Sequence, residues 1–403
     1  MTFKTKLTTA IATGAVLVNA LAPMAFAETL TVSGNGEGSV SHINTNSTST
    51  TNVSQSNNAN ITNDVQSSAK TGGNSSDGNT GGAVTINTGD ANSTANVTNA
   101  ANANQATVNC ASCNSGSVDV NISGNGEQTY NNVGVKNANT VGVVQKNNAN
   151  FTNEVNSTSK TGGNEAVSNT GGDVTVTTGN ATANVTVNNA ANANVAAVGG
   201  NGSSTGGSSV TISGNGENSQ NGVGINGYSA VVLNQNNDAY IGNFVGARAK
   251  TGYNSANGNT DGSSSVNTGN ATTNVTVANA ANFNAADLNC DCVLNDLAAG
   301  VAGNGEGSWN TISANSNNAL VQAQVNDQGF TNMVGGGSKT GKNSVEGSTG
   351  ATYDPGITTG SGTSNNTVNN AGNVNTIGNV GGYNIATTFD FNALWLFLNS
   401  FLA

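Results

Sequence analysis

A strict alternation of side chains marks four segments of this chain. From Gln55, every second residue reads Gln, Asn, Ala, Ile, Asn, Val, and the residues between them are polar. The same face returns from Gln145, Gln235 and Gln324, with Phe or Ile at the fourth position and Asn and Val after it. A period of two over a dozen residues predicts β-strands and not helices.

A second alternating segment follows each of the first three. Its first copy reads Ala95, Val97, Asn99, Ala101, Ala103 on one face, and we expect that face to point inward along the whole segment. Gly-rich stretches of the type Asn-Thr-Gly-Gly lie between the two segments. Because Gly supplies the positive φ angles that tight turns require, each copy predicts several short strands joined by turns.

Two further landmarks repeat in phase with these strands. Gly-Asn-Gly-Glu begins at residues 34, 124, 214 and 303, and Lys-Thr-Gly begins at 70, 160, 250 and 339, so both recur at spacings of 90, 90 and 89. Self-similarity at a fixed period is the signature of repeat architectures. The predicted organisation is a leader at 1–27, repeats at 28–118, 119–208, 209–298 and 299–388, the last one degenerate, and a different tail at 389–403.

The inward face carries amides, which are costly to bury without partners, by about 1–3 kcal/mol each. Stacking of identical units in register removes that cost, because each amide can then bond its copy above and below. We therefore predict an all-β fold, a β-solenoid of four repeats of about 90 residues, each containing about four coils. A tandem array of small β-sandwich units is the alternative. The predicted ladder residues are Gln55, Asn57, Asn63, Gln145, Asn147, Asn153, Gln235, Asn237, Asn243, Gln324, Asn326 and Asn332.

Two of these segments, VSQSNNANITNDV at 53–65 and VVQKNNANFTNEV at 143–155, resemble curlin-type repeats. The resemblance covers about 13 residues per repeat, and the chain is more broadly similar to repetitive Asn-, Gly- and Thr-rich bacterial surface proteins and adhesins. It implies a β-solenoid that stacks into fibres on bacterial surfaces. It also implies that the glutamine and the following Asn-x-Ala asparagine of each segment are ladder residues.

The first 27 residues have Lys4 and Lys6 near the start, then an apolar stretch and an Ala-x-Ala ending at Ala27. This pattern is typical of a secretory signal peptide, so we expect export and a mature chain from Glu28. The whole chain has a formal charge of −11, and the leader holds two of its ten basic residues. Such an acidic chain predicts no nucleic-acid partner, and we expect no transmembrane span.

Four cysteines form two pairs at the same point of the repeat, C-A-S-C and C-D-C. In an exported protein, clustered cysteines in even number favour disulfides, here a local bridge in each turn. Cross-links between subunits and a zinc site are the alternatives. The candidates are Cys110, Cys113, Cys290 and Cys292.

Catalytic chemistry has little support, because His42 is the only histidine and no nucleophile motif occurs. We predict no enzyme activity, no cofactor and no metal, and we expect the four Gly-Asn-Gly-Glu carboxylates to be solvated and not calcium ligands. A carbohydrate-active enzyme using a carboxylate pair such as Glu165 and Asp173 stays a weaker alternative. Thr175 and Thr177 suggest a flat ice- or glycan-binding face as another.

The last fifteen residues are apolar, unlike the rest of the chain, and too few to span a bilayer as a helix. They are expected either to cap the open end of the solenoid or to dock on a neighbouring subunit or the cell envelope. The residues concerned are Phe389, Phe391, Leu394, Trp395, Phe397 and Phe401.

The function predicted from the sequence is that of a secreted bacterial cell-surface structural protein. It would be a filament subunit or adhesin-like stalk, and its expected contacts are with itself, the cell envelope or glycans. A glycan- or ice-binding solenoid module is the alternative.

Overall fold

The computed structural model describes residues 7–12, 16–19, 28–108, 118–198, 208–287, 297–350 and 355–377, with only the backbone up to residue 28. All regular secondary structure within these ranges is β-strand. In chain order the strands are β1 Leu7–Ala12, β2 Val16–Asn19, β3 Glu28–Ser33, β4 Val40–Lys70, β5 Ser75–Asp77, β6 Val84–Thr88, β7 Ala91–Thr107, β8 Val118–Ser123, β9 Tyr130–Lys160, β10 Glu165–Val167, β11 Val174–Thr178, β12 Ala181–Ala197, β13 Ser208–Ser213, β14 Gln220–Lys250, β15 Ser264–Thr268, β16 Ala271–Asp287, β17 Leu297–Ala302, β18 Trp309–Lys339, β19 Gly356–Thr358 and β20 Gly362–Ile377.

Strands pair in parallel with their copies about 90 residues away. The four long strands form one sheet in the order β4-β9-β14-β18, and Gln55 lies beside Gln145, which lies beside Gln235 and then Gln324. Two further sheets have the orders β3-β8-β13-β17 and β6-β11-β15-β19. A six-stranded sheet has the order β1-β7-β12-β16-β20 with β2 also paired to β7, and β5 pairs with β10. The chain therefore forms a β-solenoid-like stack, and the alternative of separate sandwich units is wrong.

We call the stacked parts the first level (28–108), second level (118–198), third level (208–287) and fourth level (297–377). Within a level, the long strand forms one wall. A later strand of 16 or 17 residues, β7, β12, β16 or β20, runs back along it and forms part of the other wall. Side chains meet between the walls, as where Asn63 of β4 donates to Asn99 of β7 at 2.9 Å. The amide-bearing face of the long strand thus lies inside the coil.

Each level is a single coil, so the expectation of about four coils per repeat is wrong. A 31-residue strand such as β9 is about 100 Å long at roughly 3.3 Å per residue. One such strand, its return strands and the turns account for the described part of each repeat. The expected coil length came from solenoids with short rungs, whereas this coil is wide and flat.

The core between the walls is built mainly of Ala, Val and Ile, and its largest fully buried side chain, Phe151, belongs to one column. That column contains Ile61, Phe151, Ile241 and Phe330, and small alanines such as Ala191 face it from the other wall. Phe151 and Ile241 have no exposed surface. Large residues opposite small ones fill the space between two flat sheets without voids.

Alternation on the return wall changes phase at an asparagine with positive φ. Asn102 has φ 62°, and its copies Asn192, Asn282 and Asn373 have φ between 58° and 62°. Before this residue, the odd positions up to Ala101 pack into the core, but after it Asn104 turns inward to meet Asn57. Ala103 and its copies therefore do not continue the face that meets the long strand. They are buried all the same, and Ala193 and Phe283 belong to a separate hydrophobic cluster. Asn tolerates this left-handed conformation better than most residues, which permits the change of phase at the same position in every level.

Candidate functional site

The four predicted glutamines form one column through the stack. Nε2 of Gln145 donates to Oε1 of Gln55 at 2.7 Å, Gln235 donates to Gln145 at 2.8 Å, and Gln324 to Gln235 at 2.7 Å. Gln145 and Gln235 are completely buried. Nε2 of Gln145 also donates to the backbone carbonyl of Val195 at 3.1 Å, so both of its hydrogens have acceptors.

The Asn57 column runs in the opposite direction. Nδ2 of Asn57 donates to Oδ1 of Asn147 at 3.0 Å, Asn147 donates to Asn237 at 3.0 Å, and Asn237 to Asn326 at 3.1 Å. Each Nδ2 in the first three levels also faces a backbone carbonyl of the return wall, as at Ala103, 3.0 Å from Asn57. Because a carbonyl only accepts, these contacts fix the orientation of the amides.

Two further columns, one in each wall, are cross-linked to each other across the core. Nδ2 of Asn63 donates to Oδ1 of Asn153 at 2.7 Å and to Oδ1 of Asn99 at 2.9 Å. Nδ2 of Asn99 in turn donates to Oδ1 of Asn153 at 2.8 Å and of Asn189 at 2.7 Å. The pattern repeats upward in both walls. The two columns are Asn63, Asn153, Asn243, Asn332 and Asn99, Asn189, Asn279, Asn370.

These bonds make a buried polar interior compatible with folding. An unpaired buried amide costs about 1–3 kcal/mol, whereas one whose partners are supplied by the neighbouring levels contributes a small net stabilisation. The partners exist only while neighbouring levels are in register, because a slip of one residue would turn each amide to the outer face. The columns therefore specify how levels stack as well as stabilising them.

Further amide columns occur at the turns, where the sequence pattern had indicated only tight bends. The asparagine of each Gly-Asn-Gly-Glu turn donates to its copy in the next level, as Asn125 does to Asn215 at 2.8 Å. The sequence carries a signal for them, since an asparagine recurs at each of these turns, but asparagine is common in tight turns for local reasons as well. The turn columns are Asn35, Asn125, Asn215, Asn304; Asn74, Asn164, Asn254, Asn343; and Asn79, Asn169, Asn259.

The repeated Lys-Thr-Gly motif closes the end of the coil. The hydroxyl of Thr161 donates to the carbonyl of Gly179 at 3.0 Å, and the equivalent threonines of the other levels make the same bond. The motif glycines stack so closely that a Cβ on Gly162 would lie 2.1 Å from the carbonyl oxygen of Gly252. Gly162 also has φ +92°, so no other residue fits without strain.

The charged residues of the two landmark motifs lie at the surface. The four turn glutamates are exposed, and the backbone of their turns is hydrogen-bonded from level to level, as where the nitrogen of Gln128 donates to the carbonyl of Glu217 at 2.9 Å. The motif lysines are adjacent in register, and the amine of Lys160 lies 5.9 Å from the ring centroid of Tyr253. Lys342 lies 5.3 Å from the same ring. These contacts fit solvated side chains at the edge of the coil.

The weaker candidate residues have structural partners. A carboxylate oxygen of Asp173 accepts a bond from the backbone nitrogen of Ser263 at 2.8 Å, which links two levels. Glu165 lies in β10, and Thr175 and Thr177 lie in β11 beside Ser265 and Asn267. Within the described ranges, no three His, Cys, Asp or Glu side chains are grouped closely enough to hold a metal ion.

Two groups of predicted site residues cannot be placed. The four cysteines fall in 109–117 and 288–296, and the apolar tail falls in 378–403, all outside the described residues. The part of the chain that is described contains no helix long and apolar enough to cross a membrane.

Comparison with protein-family models, with curated proteins and with solved structures found no match to this chain.

Proposed function

We propose that this chain is an exported structural protein of the bacterial cell surface, either a filament subunit or an adhesin-like stalk. It acts by stacking β-strands and presenting their outer faces, and not by catalysis. In this proposal the mature protein consists of four repeats followed by the tail. The first repeat is 28–118 and the last is 299–388. The observation that carries this proposal is the set of amide columns that run through every level of the stack.

The open state of the last level supports the same proposal. Ile212 in the third level has no exposed surface, whereas its stacked neighbour Val301 in the fourth level is 49% exposed. Among the described strands, β18 has a partner on one edge only, as does β4 at the other end of the same sheet. Unpaired edges of this length, with core side chains beside them, are templates for pairing with another chain.

Imaging of the purified mature chain tests the proposal. Negative-stain microscopy should show fibres whose amount rises with protein concentration, and fibre diffraction should give a strand reflection near 4.7 Å. A chain that remains monomeric at all concentrations and does not adhere to cells would contradict both the filament and the stalk.

Removal of residues 389–403 tests the two functions expected for the tail. If the tail caps the stack, the shortened chain should unfold at a lower temperature than the full mature chain. If it docks on the envelope or on a neighbour, the shortened chain should fold normally but be released from cells or fail to polymerise.

A second candidate function uses the outer face of the return wall. Thr and Asn alternate there in stacked rows, for example Asn184, whose side-chain oxygen accepts from Asn274 at 2.9 Å, which in turn accepts from Asn365 at 2.9 Å. Thr186 and Thr276 form the neighbouring row. A flat array of hydroxyls and amides is suited to binding glycan or ice. Thermal hysteresis or glycan-array binding by the monomer, without fibres, would favour this candidate over the filament.

A further inference from the structure

The predicted leader is paired with the first level of the stack. Residues Leu7–Ala12 and Val16–Asn19 are hydrogen-bonded in parallel to β7, with Leu7 beside Asn96 and Val16 beside Asn104. The other edge of β7 bears β12 in the same parallel sense, with Thr186 beside Asn96. The leader therefore occupies the place that the return strand of a preceding level would take.

The two ends of the stack are complementary in their hydrogen-bonding groups. In the Asn57 and Asn63 columns, Nδ2 of each level donates to Oδ1 of the next, so side-chain oxygens face outward at the first level and NH₂ groups at the fourth. The glutamine column has the reverse sense, and Oε1 of Gln324 faces outward at the fourth level. A fourth level placed on a first level would bring donors to acceptors in each of these columns.

Other arrangements of the ends lack this match. Two first levels placed together would oppose the amide oxygens of their Asn57 and Asn63 columns, and two fourth levels would oppose NH₂ groups. The complementary contact is between different surfaces. Because stacking in the register seen inside the chain adds each copy by translation along the columns, the contact can be repeated and gives an open filament.

We propose that the fourth level of one copy stacks on the first level of the next in the parallel register seen inside the chain, and that the leader prevents this contact until it is removed. The inference rests on the proposed filament function and adds its polarity and its control. Removal is hydrolysis of the Ala27–Glu28 peptide bond: water supplies the hydroxyl of the new Ala27 carboxyl group and the hydrogen of the new Glu28 amine. The released segment then leaves the β7 edge free for β20 of another copy.

The test uses the full chain with a site-specific protease site inserted between Ala27 and Glu28. Light scattering and sedimentation follow assembly before and after cleavage, and microscopy identifies fibres. The uncleaved chain should need a protein concentration at least about tenfold higher to form fibres, which corresponds to about 1.4 kcal/mol of competing leader contact. Uncut chain incubated with inactivated protease is the control.

A second variant separates strand pairing from the mere presence of the leader. This variant removes backbone donors from both leader strands by the substitutions Thr9→Pro, Ala10→Pro, Leu17→Pro and Val18→Pro. Because successive residues of a strand point their N–H groups to opposite edges, one proline of each adjacent pair removes a donor on the β7 side. This uncleaved variant should assemble like the cleaved chain. The matched control keeps strand propensity and should stay inhibited. It carries Thr9→Val, Ala10→Val and Leu17→Val, and residue 18 is already valine.

The outcomes are distinguishable. Equal assembly of cleaved and uncleaved chains would overturn the role of the leader and leave the filament proposal standing. An uncleaved proline variant that stays inhibited would overturn the pairing with β7 as the cause. A cleaved chain that forms no fibres at any concentration would overturn both the stacking of copies and the filament.

Discussion

The inner and outer faces of the four long strands differ in how far they repeat. On the inner face, the copies of Asn153 are asparagine in all four levels, and those of Gln145 are all glutamine. One residue away on the outer face, Asp64, Glu154, Phe244 and Met333 lie side by side. An inner side chain must match its copies in shape and hydrogen bonding, whereas an outer one needs only to tolerate its neighbours and water.

The outer face also differs in character from level to level. The first level has only polar or small residues at this face between Ser54 and Asp64, and the third has exposed aromatics such as Tyr240 (50% exposed) and Phe244 (43%). These differences suggest that the two faces have different functions. The amides of the inner face hold the levels together, and the outer face is available to bind partners. Substitutions that convert one face into the other test this difference.

Asn153→Leu should have the largest effect. Asn153 accepts from Asn63 and Asn99 and donates to Asn243 and Asn189, all four bonds being buried. Leucine removes all four bonds, so we expect the free energy of unfolding to fall by about 3–5 kcal/mol. This counts roughly 1 kcal/mol for each bond and more for the partner groups that are left unpaired. Chemical denaturation followed by circular dichroism measures the change.

The matched control is Asn150→Leu, the same substitution on the exposed face of the same strand. It should change the free energy of unfolding by less than about 0.5 kcal/mol. Equal losses for the two variants would contradict the difference between the faces.

Gly252→Ala should have the next largest effect. Gly252 has φ +104°, and a Cβ there would lie 2.0 Å from the carbonyl oxygen of Gly341. Backbone strain and displacement of the fourth-level turn should together cost about 2–4 kcal/mol. Gly224→Ala in the same level is the control, because a Cβ there meets nothing within 4 Å. Thermal unfolding of the two variants gives the comparison, and a stable Gly252→Ala chain would show that the turns need not stack closely.

The sequence alone predicts part of this architecture, because alternation with a period of two and a 90-residue repeat can both be read directly from the residue order. They predicted parallel stacking and the amide face that runs from Gln55 to Val65. The width of the coil was missed, since the pattern did not show that the strand continues back to Val40. The sequence also does not predict the phase change at Asn102 or the hydrogen bond from Asn63 to Asn99. Both depend on how the two walls face each other, and the period of the side-chain pattern contains no information on that arrangement.

Asn332→Leu examines the inner face where the stack ends. Asn332 is the fourth-level copy of Asn153 but is partly exposed, with no described level beyond it. It accepts from Asn243 at 2.7 Å and from Asn279 at 3.1 Å, and it donates to Asn370 at 3.3 Å. Fewer bonds are lost and water can replace them, so the isolated chain should lose only about 1–2 kcal/mol. Fibre formation should be impaired more than stability, because the variant removes a donor from the end that we propose to stack. Sedimentation and denaturation of the same sample compare the two, and unimpaired fibres would place the contact elsewhere.

Phe244→Ser should have the smallest effect on stability of the four variants. It tests whether an outer-face residue contributes to binding without contributing to folding or assembly. Phe244 lies on the outer face beside Glu154 and Met333, and its loss should change the free energy of unfolding by less than about 0.5 kcal/mol. Fibre assembly should also be unchanged, because the side chain lies outside every amide column. Attachment of the chain to cells or glycans should fall if the outer face meets the partner, since exposed aromatics carry much of the contact energy in such surfaces. A drop in fibre yield with unchanged attachment would instead place this aromatic residue in the stacking contact and remove the division of duties between the two faces.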